Sequence, residues 1–345
     1  MNRFRIDNNP ERLREYLLGQ GYLQKDDPAV ITQLGGGISN DVFKVESTGG
    51  TLVFKQALSR IRVKSPWIID AQRSNVEKDA LKLIRRILGS EYVPEVLFED
   101  EKNFIFGIEF APEGSEEWKT QLLRGEVDFE TAKQVASLLA RIHNETFERA
   151  EVVRRFDQQQ RFLECRVNPY YETIARRHPK LAGPIRSEIA RILTFRKVLV
   201  HADYSPKNIL ILPEAGRFWL LDPEAAHLGD PTFDIAFLLN HMLLKAVKVR
   251  RARAKLLKAF LQMAKAYSST IQVFPTGWIE EYACRELGLL LLARVDGKSP
   301  AEYLNETNRN IVRRSGTRII LERPKLYTAV AEILSEEMVG STDSC

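Results

Sequence analysis

Four side chains between positions 201 and 222 have the types and the spacing that phosphoryl transfer requires. His201, Asp203 and Asn208 share a short polar loop, with Asn208 five residues after Asp203, and apolar runs precede and follow that loop. A third β-like run ends at Asp222. One carboxylate must accept or orient the proton of an attacking hydroxyl, and Asp203 suits that role. Asn208 and Asp222 offer hard oxygen donors of the kind that Mg2+ takes. Singly, Asp203 and Asn208 are ordinary turn formers and Asp222 an ordinary helix cap. It is the ordered set, placed between apolar strands, that points to chemistry.

Such a set needs a scaffold upstream. Three short β-like runs, 30–34, 42–46 and 51–56, are separated by Gly35-Gly36-Gly37 and by Gly49-Gly50, the pattern of a meander. Residues 70–88 carry apolar side chains at a 3.6 period, and two further strands are expected at 95–99 and 104–110. A capped helix over 11–18, started by Asn9-Pro10, precedes them. The glycine turn Gly36-Gly37, with Ser39 and Asn40 after it, can bring backbone amides close to phosphates. Lys55 on the third strand supplies a cation, and Glu77 on the helix a carboxylate to orient it. Pro112-Glu113-Gly114-Ser115 reads as a linker. Beyond it helices are expected over 129–147, 169–194, 233–267, 278–295 and 325–338, interrupted by a β-rich island at 198–222.

These residues carry a resemblance. The Asp-x-x-x-x-Asn spacing is that of a kinase catalytic loop, and over about residues 30–244 the chain resembles the aminoglycoside phosphotransferase, choline kinase and methylthioribose kinase superfamily, the small-molecule branch of the protein-kinase-like fold. His201-Ala-Asp203 with Asn208 is similar to that family's H-G-D-x-x-x-x-N, with Ala202 where glycine is usual. Asp222-Pro-Glu224 is similar to its D-x-[DE] metal motif, and residues 229–236 to the segment after it, where Asp234 would support the catalytic loop. Residues 106–112 are similar to the hinge that holds adenine. The resemblance implies an α+β, bilobal fold: residues 1–110 as a small N-terminal lobe with a five-stranded antiparallel sheet that binds nucleotide, and 111–345 as a larger, mostly helical catalytic and substrate lobe. It further implies ATP and Mg2+ as cofactors and Asp203 as the base. The nucleotide would be bound by Gly36, Gly37, Ser39, Asn40, Lys55, Glu77, Glu109 and Ala111, and the metal by Asn208, Asp222 and Glu224. The chain lacks an H-R-D arginine, a D-F-G and an A-P-E, so neither a protein substrate nor activation-loop phosphorylation is expected.

The remaining features bound the partner. The 345 residues are 44% hydrophobic and 28% charged, and the longest apolar run, 287–295, is far below a membrane span, so a globular chain without membrane attachment is expected. Three scattered cysteines, Cys165, Cys284 and Cys345, exclude a disulfide framework and fit the cytoplasm, and residues 1–9 show no secretory pattern. Asp296-Gly-Lys-Ser299 ends like a phosphate-binding loop but lacks its first glycine. The net charge of +5 is local: residues 245–258 hold seven basic and no acidic side chains, and 158–197 hold nine basic and three acidic. In the first of these, Lys248, Arg251, Lys255 and Lys258 recur at helical spacing opposite Val249, Ala252, Leu256 and Phe260, which reads as a solvated helix face with no nucleic-acid partner. The expected partner is a small-molecule hydroxyl acceptor, sugar-like by resemblance to the methylthioribose kinase branch, with Arg294 and Lys298 lining its site. The alternatives are an aminoglycoside- or choline-type phosphotransferase, and a catalytically silent binding module of the same fold.

Overall fold

A computed structural model describes residues 4–35, 40–58, 70–214 and 216–340. By internal contacts the chain divides into two units. One runs to Ser115 and takes in Trp219–Glu224; the other comprises Glu116–Phe218 and the chain from Ala225 onward. The sequence reading draws its boundary at 110/111 and leaves the Asp222 segment with the helices. The contacts place that segment in the first unit, where the Leu220 amide donates to the Tyr92 carbonyl at 2.8 Å.

The first unit is built on the five antiparallel strands expected, β1 (Val30–Gln33), β2 (Asn40–Ser47), β3 (Gly50–Ala57), β4 (Val96–Asp100) and β5 (Ile105–Glu109), in the order β1-β2-β3-β5-β4. Helix α1 (Pro10–Gly19) is capped by Asn9, whose side chain accepts from Glu11 and Arg12 amides. Its Leu13, Tyr16 and Leu17 join Phe43, Val45, Leu52, Phe54 and Ile105 in one apolar cluster. Gly107 is closely packed there, since a Cβ would lie 3.1 Å from both the Phe54 ring and the Phe98 Cβ. Helix α2 (Arg73–Leu88) turns Val76, Ala80, Leu83 and Ile84 inward, as its period predicts.

The second unit contains α3 (Trp118–Leu123), α4 (Phe129–Thr146), α5 (Ala150–Phe156), α6 (Gln160–Phe162), α7 (Thr173–Arg177), α8 (Ala182–Thr194), α9 (Pro231–Lys248), α10 (Arg253–Thr270), α11 (Thr276–Asp296), α12 (Glu306–Glu322) and α13 (Tyr327–Val339). Its short strands are β6 (Glu116–Glu117), β7 (Val198–Val200), β8 (Ile209–Ile211) and β10 (His227–Gly229), while β9 (Phe218–Leu220) leads into the Asp222 segment. β7 pairs with β10, and β6 with β8, both antiparallel. Arg191 of α8 donates to Thr232 and Glu286, each at 3.1 Å, and to Asp230, which pins the start of α9 against α11.

Two helix expectations are corrected, and one long helix was not expected. Residues 169–194 are not one helix. Pro169 sits inside a π-helix, Leu163–Glu172, because its ring cannot continue an α-helical ladder, and the chain breaks again at His178. Residues 233–267 form α9 and α10, separated where Val249 leaves helical geometry at φ −100°, ψ 75°. That bend seats Val249 and Ala252 against Gly125, where a Cβ would lie 3.1 Å from the Ala252 methyl. The alternation of exposed Lys248, Arg251, Lys255 and Lys258 with buried Val249, Ala252, Leu256 and Phe260 survives the break. Helix α12 has no counterpart in the sequence reading, its signal diluted by polar residues and Gly316. Asn305 caps it, and Gly316 lets its backbone approach that of Gly288 on α11.

Candidate active site

In the second unit, β7 delivers the chain into the loop from His201 to Asn208. The loop is held from below by Asp234, on the first turn of α9, whose fully buried carboxylate accepts the His201 amide at 2.6 Å and the Ala202 amide at 2.9 Å. Burial works against the charge of Asp234, but His143, then His201 and its amide, outweigh it and hold the carboxyl below the usual range. His143 in turn lies 2.7 Å from the Tyr267 hydroxyl through Nδ1 and 3.6 Å from Asp234 through Nε2. Ala202 has φ +64°, the left-handed region, which accounts physically for a motif that otherwise prefers glycine. The double amide clamp on Asp234 holds that strained turn in place.

Asp203 therefore projects from a fixed backbone. Its carboxylate accepts from Asn208 Nδ2 at 2.9 Å and lies 3.0 Å from Arg166 Nη2, and its side chain stays about a quarter exposed. Asn208 Nδ2 also donates to the Asp203 carbonyl at 3.0 Å. With its amide hydrogens committed to Asp203, Asn208 offers its oxygen as a donor atom. Arg166 also donates to the Ala202 carbonyl at 2.6 Å, and its guanidinium packs over the rings of Phe237 and Tyr170. Arg166 and His143 are not among the site residues expected from sequence. Arg166 sits in a basic stretch with no spacing that distinguishes it, and His143 lies within a helical pattern that marks it as no more than a packed residue.

In the first unit, Lys55 is buried on β3 between two carboxylates, 2.7 Å from Glu77 Oε1 and in contact with Asp222. Burial opposes the ammonium charge, but Asp222 and Glu77 more than offset it and raise the lysine above its usual range. For Glu77 burial dominates and pushes the carboxyl up; Lys55 pulls against this, and the charges of Asp222 and Glu224 add to the rise. Asp222, like Ala202, has a left-handed backbone, at φ +58°. Glu224 accepts from Arg73 Nε at 3.2 Å and from Asn40 Nδ2 at 3.4 Å. Arg73, fully buried at the start of α2, was not singled out from sequence.

The structure separates other expected site residues from any visible role. Glu109 ends β5 and spends its carboxylate on the Glu95 amide at 2.7 Å, with Arg85 3.6 Å away. The Ala111 amide has no hydrogen-bond partner among the described residues. Gly36, Gly37 and Ser39 lie outside the described residues. Arg294 turns to the Tyr170 hydroxyl at 3.3 Å and to Ser299, whereas Lys298 is exposed with no charged partner among the described residues. Asp296, between them in sequence, is taken by Arg313 at 2.8 Å and His178 at 2.8 Å. A hollow of about 180 Å3 in the first unit, lined by Asp41, Gln56 and Phe104 among others, contains none of these residues. Among the described residues no group of three or more His, Cys, Asp or Glu is placed to hold a metal, and no helix is long and apolar enough to cross a membrane.

Comparison with known proteins is in accord with these features. Residues 30–270, more than half of the chain, match the family described as "Phosphotransferase enzyme family". A methylthioribose kinase of Bacillus cereus is 25% identical over 297 residues, which cover 77% of this chain and 73% of that protein. Among solved structures, amicoumacin kinase hAmiN in complex with AMP-PNP, Ca2+ and Ami has a TM-score of 0.53 at 14% identity, covering 92% of this chain and 96% of its own. A choline/ethanolamine kinase family protein from Mesorhizobium loti has a TM-score of 0.53 at 16% identity, covering 94% and 99%. At these identities the likeness to solved structures is one of fold, the protein-kinase-like fold expected from sequence.

Proposed function

The chain belongs to the phosphotransferase enzyme family, and on that premise we propose that it is an ATP- and Mg2+-dependent kinase acting on a hydroxyl of a small, sugar-like metabolite. The observation that carries this reading is the loop His201–Asn208: two backbone amides clamped by buried Asp234, and an accessible Asp203 aimed by Arg166 and Asn208. That is the preorganisation an acceptor-activating base needs. The 25% identity to methylthioribose kinase supports a sugar-like acceptor.

In the reaction the acceptor oxygen forms a bond to the γ-phosphorus, the bond to the bridging oxygen of ADP breaks, and Asp203 accepts the hydroxyl proton. Arg166 keeps the Asp203 carboxylate turned to that oxygen. Lys55, fixed by Glu77, is the cation for the α- and β-phosphates. The oxygen of Asn208 and the carboxylates of Asp222 and Glu224 are all hard donors, which suits Mg2+. When bound, the ion would neutralise charge on the phosphates. Glu224 has a further task, since Asn40 and Arg73 already hold it; it ties the end of its segment to β2 and α2. The first unit would thus serve the nucleotide and the second the acceptor.

Turnover of ATP with a panel of small hydroxyl compounds, read as ADP release and repeated with Asp203→Ala, tests the proposal. Acceptor-dependent ADP release by the parent and a loss of at least about 10³-fold in the variant, with nucleotide still bound, is the expected result. Nucleotide binding without turnover of any acceptor would instead indicate a silent binding module.

A further inference from the structure

Helix α9 carries Phe237, His241 and Lys245 at four-residue intervals, so they share one face. Lys245 opens the basic run whose Lys248, Arg251, Lys255 and Lys258 form the solvated face, yet it is itself 1% exposed. Its Nζ donates only to the His241 carbonyl, at 3.4 Å, and no carboxylate lies within ion-pair distance among the described residues. Its ammonium also lies 5.7 Å from the centre of the Tyr303 ring. Burial, then Lys119 and Arg294, push Lys245 down to about 7, while Glu117 and Glu302 pull only partly the other way. Glu302 is itself paired with Lys119 at 2.8 Å. Four further buried atoms here have no hydrogen-bond partner: His241 Nε2, Arg294 Nε, the Tyr303 hydroxyl and, on the acidic side, Glu117 Oε1.

A cluster of this kind is costly as it stands. Buried cations are ordinarily paired, and buried donors satisfied. Here Lys245 and Arg294 bring positive charge to one place with no carboxylate paired to Lys245, Glu117 and Glu302 offsetting only part of its cost, and unpartnered polar atoms lie around them. The cluster also connects to the catalytic loop through packed groups. The His241 ring lies 5.2 Å from that of Phe237, Arg166 stacks over Phe237, and Arg166 reaches Asp203.

We propose that Lys245, Arg294, His241 and Tyr303 form a subsite for an anionic group, a carboxylate or a phosphate, on the acceptor whose hydroxyl Asp203 activates. This rests on the kinase reading above and narrows its acceptor to a hydroxy acid or a phosphorylated hydroxy compound. An incoming anion supplies the missing charge and accepts from the stranded donors. It also restores the proton on Lys245, so binding near neutral pH takes up protons from the buffer.

The test uses the purified full chain and matched sets of compounds: ribose as the neutral member, ribonate as the carboxylate, ribose 5-phosphate as the phosphate. Calorimetric binding without nucleotide is measured beside ATP-dependent ADP release. One anionic member is expected to bind at least about tenfold more tightly than ribose, with a heat that varies with the ionisation enthalpy of the buffer. Which member gains distinguishes the two sources of charge. Lys245→Met is expected to abolish the preference, and Tyr303→Phe, which removes only a hydroxyl, to weaken it, with nucleotide affinity unchanged in both. Equal binding of all three compounds, binding of none, or a preference that survives Lys245→Met overturns the subsite. Phosphorylation of ribose as efficiently as of its anionic relatives overturns it while leaving the kinase reading intact. A calorimetric preference without turnover of any member does the opposite.

Discussion

The clamp on the loop His201–Asn208 makes a quantitative demand of Asp234. Its carboxylate is fully buried and accepts two backbone amides, from His201 at 2.6 Å and Ala202 at 2.9 Å. Asp234→Asn keeps the shape but leaves one oxygen for two amides and turns a donating NH2 toward the other. One charge-assisted hydrogen bond, worth about 1.5–3 kcal/mol, is lost, and a buried N–H is stranded at a further cost of about 1–3 kcal/mol. The neutral side chain is cheaper to bury, which returns part of this, so a net loss of about 3 kcal/mol is expected. Urea unfolding of the full chain reads it as a lower midpoint at unchanged slope. Released from its clamp, the left-handed Ala202 relaxes, and kcat falls while nucleotide affinity holds. The pH dependence follows the depressed folded pKa. Stability from Asp234 is complete above its ordinary value of 3.8 and is lost as the pH falls through the lower folded value. The gap between parent and variant is therefore flat from neutral pH to about 4 and closes only in stronger acid. A variant within about 0.5 kcal/mol of the parent at pH 7, or a gap that closes between pH 7 and 5, would refute the reasoning.

Two further outcomes follow from the first unit. Lys55→Met strands Glu77 without its cation and is expected to cost about 3–5 kcal/mol; adding Glu77→Gln should recover at least about 2 kcal/mol of it, and a double variant no more stable than the single one would show that the pair is not coupled. Gly107→Ala should lower stability by about 1–3 kcal/mol in the same unfolding assay, since its methyl meets the Phe54 ring and the Phe98 Cβ at 3.1 Å, and an unchanged midpoint would mean that both side chains give way freely.

What could be read from sequence was whatever depends on local periodicity or on a fixed offset along the chain. The meander of β1 to β3 and the amphipathic α2 show directly in their patterns, and so does the five-residue offset of Asp203 and Asn208. Lys55, Glu77 and Asp222 could be ordered along the chain, although their meeting needs the sheet. Helix boundaries failed where tertiary contacts decide them. Pro169 is absorbed into a π-helix rather than starting a helix, and the break between α9 and α10 answers to Gly125, more than 120 residues away. Arg166, Arg73 and His143 escaped because each acts on a partner distant in sequence, and no spacing links an arginine at 166 to an aspartate at 203.

Charge was the least legible property, because sign is written in the sequence and burial is not. Lys245 and Lys248 stand three residues apart in one basic run, and the helical pattern offers both to solvent as readily as to the core. The structure buries the first and exposes the second. The same net charge of +5 is therefore two different things. On Lys248, Arg251, Lys255 and Lys258 it is solvated surface, worth little to stability or recognition. On Lys245 it is charge held away from water with only partial offset from Glu117 and Glu302, the state that the proposed subsite would complete. A composition that is nearly balanced overall thus says nothing about acceptor charge. Burial of one particular lysine does, and it directs the search toward anionic hydroxy compounds.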